Sequence, residues 1–203
     1  GYATHRETIT LSSDLTRDVV LGPPAPVRGV VLTSGGQPAA QAEIEGALIP
    51  LTGGKAIIAR AASDARGHFT LGGLGPGALV VTARKNADVA VHAPIVLGPA
   101  GVDGVTLTLA RGGRILGVIT HTDDSTGPLT RLNLTTPLLN GAHFTMDTVV
   151  SAQRGTFDIV GIPLGLIRLR AGPLRGPIDE NATEVTVTLT AEKPEMKVTL
   201  AAP

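Results

Sequence analysis

The sequence repeats itself at a constant spacing of 88 residues, which restricts the chain to folds that can be built twice in succession. Four pairs of residues share this spacing: Gly29 with Gly117, Gly67 with Gly155, Phe69 with Phe157, and Gly77 with Gly165. The second copy carries two extra residues in its first turn and then returns to the same spacing. A register that recovers after an insertion indicates two copies of one fold.

The repeat predicts three segments along the chain. Residues 23–111 form a first module and residues 112–203 a second. Residues 1–22 resemble the end of each module, so we interpret them as the last two strands of a preceding repeat whose beginning is missing. We expect these strands to pair with the first module or with another chain, because open strand edges find partners.

Two five-residue spacers separate the segments. The first, residues 22–26, contains three prolines and is expected to be extended and stiff. The second, residues 110–114, contains two glycines and no proline, and is expected to bend more easily.

Alternation of apolar and polar residues predicts strands. In residues 105–109 and 185–190, Val and Leu alternate with Thr, which gives one buried and one solvated face. The 26 Gly and 15 Pro residues punctuate such runs every few positions, as in short strands joined by tight turns. The predicted fold class is therefore all-β: two tandem seven-stranded Greek-key β-sandwiches plus the partial preceding repeat.

Several residues of the repeat have predicted structural roles. Gly67 and Gly155 lie where a hairpin turn needs positive φ, and Asp64 can accept a backbone hydrogen bond in the first of these turns. The second copy has Ala152 in place of Asp64. Because aromatic residues are few, Phe69 and Phe157 are each expected to be the largest buried side chain of their module.

These positions resemble a known family of modules. The matching features are Gly29 in the first strand, Pro38 after the first turn, Asp64-x-x-Gly67-x-Phe69, and Leu74-x-Pro76-Gly77. They resemble carboxypeptidase-regulatory-like repeats, which have the prealbumin (transthyretin) and starch-binding-like architecture, one of the Ig-like sandwiches. The resemblance implies tandem, non-catalytic modules of a large bacterial protein that is secreted or lies at the cell surface or in the periplasm. Their partners would be neighbouring repeats.

Composition excludes several classes of function. Lys plus Arg and Asp plus Glu are 17 each, so no net charge draws the chain to nucleic acid. No run approaches the roughly 20 apolar residues of a membrane helix. There is no Cys, which removes disulfides and thiol chemistry.

Motifs of catalysis and cofactor binding are missing as well, so we expect no enzyme activity and no cofactor. The five histidines (His5, His68, His92, His121, His143) are scattered and are expected in solvent. Asp123 and Asp124, beside Ser125 and Thr126, form a weak calcium candidate, and a plain polar turn is the favoured interpretation.

Three functions stay open. The leading one is a structural spacer or adhesion stalk, whose partner could be a surface protein or a polysaccharide. The second is a carbohydrate-binding module. It is weakened by the absence of Trp and by a single Tyr, Tyr2, although Asp, Asn and Arg can bind sugars through hydrogen bonds. The third is an accessory domain of a larger enzyme.

Overall fold

The structure is a computed structural model of the chain. It describes residues 2–4, 16, 18, 22–51, 56–121, 130–137, 143–150, 155–173, 178 and 182–202. Every regular element in these ranges is a strand, which confirms the predicted all-β class. The described residues include no helix able to cross a membrane. The chain divides into two compact units, Gly1–Lys85 with Ala90–Ala110, and Asn86–Val89 with Arg111–Pro203.

The first unit is built from two sheets. Residues 23–111 form the strands β1 (Val27–Leu32), β2 (Glu43–Pro50), β3 (Ile57–Ala62), β4 (His68–Leu71), β5 (Gly77–Lys85), β6 (Asp88–Val91), β7 (Ile95–Leu97) and β8 (Val102–Thr108), followed by the two-residue β9 (Ala110–Arg111). Of these, residues 88 and 89 of β6 and Arg111 of β9 fall in the second unit. One sheet has the order β4-β1-β8, with β1 antiparallel to β4 and parallel to β8. The other places β5 between β2 and β6, adds β3 outside β2, and pairs β7 with β5.

One hydrophobic core lies between these two sheets. Val31, Phe69 and Leu107 come from the β4-β1-β8 sheet, and Ile44 and Leu79 come from the other sheet. All five are at least 95% buried. Because apolar side chains of both sheets fill a single interior, the unit is a β-sandwich.

The second unit repeats this arrangement. Its strands are β10 (Gly113–His121), β11 (Thr130–Pro137), β12 (His143–Val150), β13 (Thr156–Ile162), β14 (Gly165–Pro173), β15 (Glu184–Leu189) and β16 (Glu195–Ala202). The sheets have the orders β13-β10-β16 and β12-β11-β14-β15. Strand β10 is antiparallel to β13 and parallel to β16, as β1 is to β4 and β8.

The core of the second unit is also mainly aliphatic. Ile115 and Leu200 from one sheet pack in the same cluster as Leu132 and Ile167 from the other. Phe157 is buried here, as predicted from the repeat, but the expectation that it alone is the largest buried side chain is wrong. Phe144 on β12 is buried in the same core. Its strand alternates with period two, which places position 144 inward.

Among the described residues, residues 23–111 contain eight strands and the two-residue β9, whereas seven strands were predicted for this module. The additional strand, β6, follows β5 after a tight turn at residues 86–87. Asn86 has φ +55°, a conformation that Asn tolerates better than most residues. The described residues of the second unit contain seven strands.

The expectation of a flexible spacer at residues 110–114 is wrong, because most of these residues lie in strands. Strand β9 takes Ala110–Arg111 and β10 begins at Gly113, so Gly112 alone lies between strands. A side chain could not fit there, because a Cβ on Gly112 would lie 2.8 Å from the Cα atom of Gly161. Gly112 is therefore needed because two backbones pack closely here, and only glycine leaves room for that approach.

The first spacer, residues 22–26, contains no strand. Ala25 within it is fully buried and donates its backbone N–H to the carbonyl of Leu74, 2.7 Å away. The two strands predicted within residues 1–22 fall almost wholly outside the described residues. Near the start of the chain, Ala3 donates to the carbonyl of Gly22 and Thr4 to that of Gly73.

Candidate functional site

The matched glycines and phenylalanines of the repeat form two equivalent pairs in the sheets. Gly29 lies opposite Phe69 on β1 and β4, and Gly117 lies opposite Phe157 on β10 and β13. In both pairs the aromatic ring occupies the space a Cβ would need; for Gly29 that atom would lie 2.8 Å from the ring of Phe69. These residues shape the core and contribute no polar side-chain group.

Asp64 organises the turn between β3 and β4. Its Oδ1 accepts hydrogen bonds from the backbone N–H groups of Arg66 and His68, each 2.8 Å long. The bond from His68 is the main cause of a lowered pKa for the Asp64 carboxyl. Gly67 in the same turn has φ +78°, so the turn combines a carboxylate acceptor with a left-handed glycine.

The remaining turn residues of the repeat differ between the two copies in their backbone angles and surroundings. Gly155 has φ +58°, whereas Ala152 and the calcium candidates Asp123 and Asp124 lie outside the described residues. Gly77 begins β5 against the carbonyl of Ile49, where a Cβ would collide with that oxygen. Gly165 begins β14 in open space, and its need for glycine comes from a φ of +132°.

A three-membered ion network lies on the outer face of the β13-β10-β16 sheet. Arg114 donates from Nε and Nη2 to the two oxygens of Asp158, at 2.8 and 2.7 Å, and from Nη1 to Glu195 at 3.2 Å. The hydrogen bond from Arg114 is the main cause of a lowered pKa for Asp158, and the two carboxylates raise the pKa of Arg114. The network joins three neighbouring strands and is exposed to solvent.

A second polar arrangement lies on the outer face of the β12-β11-β14-β15 sheet. The strand register places Asp147, Asn133, Arg170 and Glu184 side by side, one from each of the four strands. Asn133 donates from Nδ2 to Asp147 at 2.9 Å, and Arg170 donates from Nε to Glu184 at 2.8 Å. We name these four residues the polar row.

A cleft of about 170 Å³ opens beside the polar row. Its walls are Asn133, Thr135, Arg168, Arg170 and Glu184, which we name the polar cleft. Thr135 donates from Oγ1 to the side-chain oxygen of Asn133 at 3.1 Å. Arg168 approaches Glu184 only to 3.8 Å between Nε and Oε1. The cleft therefore gathers two guanidinium groups, one carboxylate, one amide and one hydroxyl.

A wider open depression of about 470 Å³ lies over the other sheet of the second unit. It is lined largely by Leu116, Val118, Phe157, Val198 and Lys197 together with glycine and threonines. A single charged side chain in an otherwise apolar or hydroxyl lining offers few orienting groups. The polar cleft is the better candidate for recognition of a ligand.

The described residues contain no cluster of three or more His, Asp or Glu side chains that could hold a metal ion. His68 and His143 are exposed, His92 is partly buried, and the side chains of His5 and His121 are outside the description. His68 lies 3.8 Å from Asp64 and belongs to the turn already described.

Sequence reasoning did not single out the polar row or the polar cleft. The alternation in residues 166–170 shows that Arg168 and Arg170 share one face of a strand. Their partners come from strands about 35 residues earlier and 14 residues later, and only the register pairs them. The polar residues Asn133, Thr135, Arg168 and Arg170 on the outer faces of β11 and β14 are the signal that could have drawn attention to them.

Comparisons with known proteins gave only distant structural likenesses. No protein-family model matches the sequence, and no curated protein matches it. Similar solved structures include a streptococcal ancillary pilin (12% identity, TM-score 0.33, 90% of this chain and 65% of that one). The Bacillus anthracis TIE protein (13%, 0.33, 88% and 33%) and the shaft pilin SpaA of Lactobacillus rhamnosus GG (9%, 0.33, 88% and 97%) are others. The chain thus spans less than two thirds of the first two, and likenesses this distant carry no argument.

Proposed function

We propose that this chain is a non-catalytic structural array of β-sandwich modules within a larger protein of the cell surface. The observation that carries the proposal is the repetition of one sandwich, with equivalent strand order and equivalent Gly–Phe pairs, in two units that each have their own core. A fold repeated in series extends a chain by identical steps, which suits a spacer or stalk.

The use of charged side chains supports a structural role. Most of the ion pairs in the described residues link neighbouring strands on exposed sheet faces. They are Arg28–Asp103, Arg60–Glu45, Arg84–Glu43, Arg114–Asp158, Arg114–Glu195, Arg168–Glu184 and Arg170–Glu184. Cross-strand pairs of this kind add modest stability and fix register, and they keep an extended surface polar.

The finer assignment is to the carboxypeptidase-regulatory-like modules. It is supported by the glycine of the first strand facing the phenylalanine of β4, and by the carboxylate-capped turn at Asp64. With that assignment goes an extracellular location, with neighbouring repeats of the same protein as partners. Fold alone does not determine function, so both points require their own tests.

Small-angle X-ray scattering of the 203-residue chain tests the spacer function. A single compact body of this length would have a radius of gyration of about 17 Å. A spacer should give a clearly larger value and a scattering curve typical of two linked bodies. A radius near 17 Å would mean that the units form one globule, and the proposal would then be wrong.

The surface location has a separate test. An antibody raised against the folded chain should label intact cells of the source organism, and brief protease treatment of those cells should remove the signal. Labelling that appears only after the cells are permeabilised would contradict a surface location and leave the scattering result unaffected.

A further inference from the structure

We propose that the polar cleft of the second unit binds an acidic saccharide, with Arg168 as the group that holds the sugar carboxylate. This inference goes beyond a structural role and does not depend on it, because a spacer module can have no ligand and an enzyme accessory domain can have one.

Arg168 is the cation of the cleft with spare hydrogen-bonding capacity. Its side chain is 53% exposed, and its one ion-pair contact with a described residue is the 3.8 Å approach to Glu184. That distance is beyond a hydrogen bond, so its N–H donors are not engaged by Glu184. A guanidinium presents donors in a planar fork that matches a carboxylate with two parallel hydrogen bonds.

The charge balance of the cleft favours an anion. Arg170 donates to Glu184 from both Nε and Nη2 at 2.8 Å, which neutralises that carboxylate and holds the Arg170 side chain in place. The five lining residues then carry one net positive charge, and Arg168 bears it at 3.8 Å from Glu184. A carboxylate is the simplest ligand group that would balance it.

The uncharged groups beside Arg168 favour a sugar as the carrier of that carboxylate. Thr135 lies directly opposite Arg168 in the strand register and Asn133 opposite Arg170. Each makes a hydrogen bond to a neighbour and keeps further capacity: a second amide N–H and a carbonyl lone pair on Asn133, and the hydroxyl lone pairs of Thr135. Donors and acceptors placed side by side suit the adjacent hydroxyls of a pyranose ring.

The first unit shows that the fold itself does not require these residues. The pair Thr135 and Arg168 occupies the same register as Ala47 and Val80, 88 residues earlier. Ala47 and Val80 are 5% and 2% exposed, so the first unit has a covered apolar patch where the second has an open polar cleft. Two copies of one sandwich have thus diverged at this place on the sheet, as a site specific to one copy would.

The test is an NMR titration of the full 203-residue chain with short oligomers of polygalacturonate, a uronic-acid polymer. The control ligand is the methyl ester of the same oligomers, which keeps the rings and removes the charge. We expect amide shifts confined to residues 133–135, 168–170 and 184 with the acid, and at least roughly tenfold weaker binding with the ester. No shifts at millimolar acid, or equal binding of acid and ester, would overturn the proposal.

Two variants distinguish specific binding in the polar cleft from non-specific attraction of a polyanion to the surface. Arg168→Val installs the residue that the first unit carries at this position, so the fold should tolerate it, and binding should weaken roughly tenfold or more. Arg60→Val removes the same charge from an exposed pair on the first unit and should leave binding unchanged. Equal losses in the two variants, or equal binding of dextran sulfate by the native chain, would show only a non-specific anion contact and sink the proposal.

Discussion

Gly36 and Gly67 have nearly the same backbone conformation and very different surroundings. Their φ angles are +76° and +78°, so alanine at either position adds a left-handed penalty of about 1–2 kcal/mol. At Gly36 the new methyl would meet nothing within 4 Å, whereas at Gly67 it would lie 2.5 Å from the carbonyl oxygen of Val31.

We therefore expect Gly67→Ala to lower the free energy of unfolding by about 1–3 kcal/mol more than Gly36→Ala does. Urea denaturation of the two variants measures the difference. Equal losses would mean that backbone conformation alone explains the glycine at position 67, and that the turn yields to an added methyl.

The glycines of the repeat show what can be predicted at this scale. The 88-residue spacing identifies Gly29 and Gly117, and the turn signals correctly suggest positive φ at Gly67 and Gly155. The reasons for Gly29 are the carbonyl oxygen of Val105 and the ring of Phe69, from strands 76 and 40 residues away, which no local pattern reveals. The burial of Phe144 could be predicted, since it follows from alternation along β12.

At the scale of elements, the network around Arg114 makes a prediction about protonation. Arg114→Met should raise the pKa of Asp158 toward its usual value near 3.9, because the main cause of the lowering is then removed. Carboxyl chemical shifts followed over pH 2 to 6 measure it. Arg28→Met is the matched control, since it breaks an exposed cross-strand pair elsewhere and should leave Asp158 unchanged.

The same change should alter the response to acid. A carboxylate whose pKa is lower in the folded state adds stability that is present above its unfolded pKa and is lost as pH falls through the folded value. Below about pH 4 the native chain should therefore lose stability more steeply than Arg114→Met. Parallel stability curves for the two proteins would show that the network does not contribute to acid sensitivity.

The sequence predicts individual strands but not which residues of neighbouring strands lie opposite each other. The alternation that defines β11 and β14 was visible, and so was the pair of arginines at 168 and 170. Which residues face them depends on register, and a shift of one residue would replace Asn133 and Glu184 by inward-facing leucine or valine. The polar cleft is thus a property of strand pairing that no single strand carries.

At the scale of the whole molecule, separate cores predict separate responses to a core mutation. Phe157→Ala should lower the stability of the second unit by about 3–5 kcal/mol, because a buried ring is lost and a cavity remains. That is a large share of the 5–15 kcal/mol typical of a domain. Hydrogen exchange should show faster exchange at amides of β10 to β16 and little change in β1 to β8.

Phe69→Ala is the reciprocal variant, and it should affect the first unit in the same way. If either variant speeds exchange equally throughout the described strands, the two units fold as one cooperative body. The two units would then be separate in their contacts, but neither would be stable independently of the other.

The parallel pairing of first and last strands has a mechanical consequence. Strand β1 begins at Val27 and strand β8 ends at Thr108, and these two residues lie at opposite ends of one ladder. Tension between them shears the two strands past each other, so all their hydrogen bonds must break together and cannot break one after another.

The two units differ in the continuity of this ladder. In the second unit the ladder runs without a break from Arg114 and Glu195 to His121 and Ala202, whereas the ladder of the first unit is interrupted by a bulge after Val27. We therefore expect the first unit to unfold at a lower pulling force than the second.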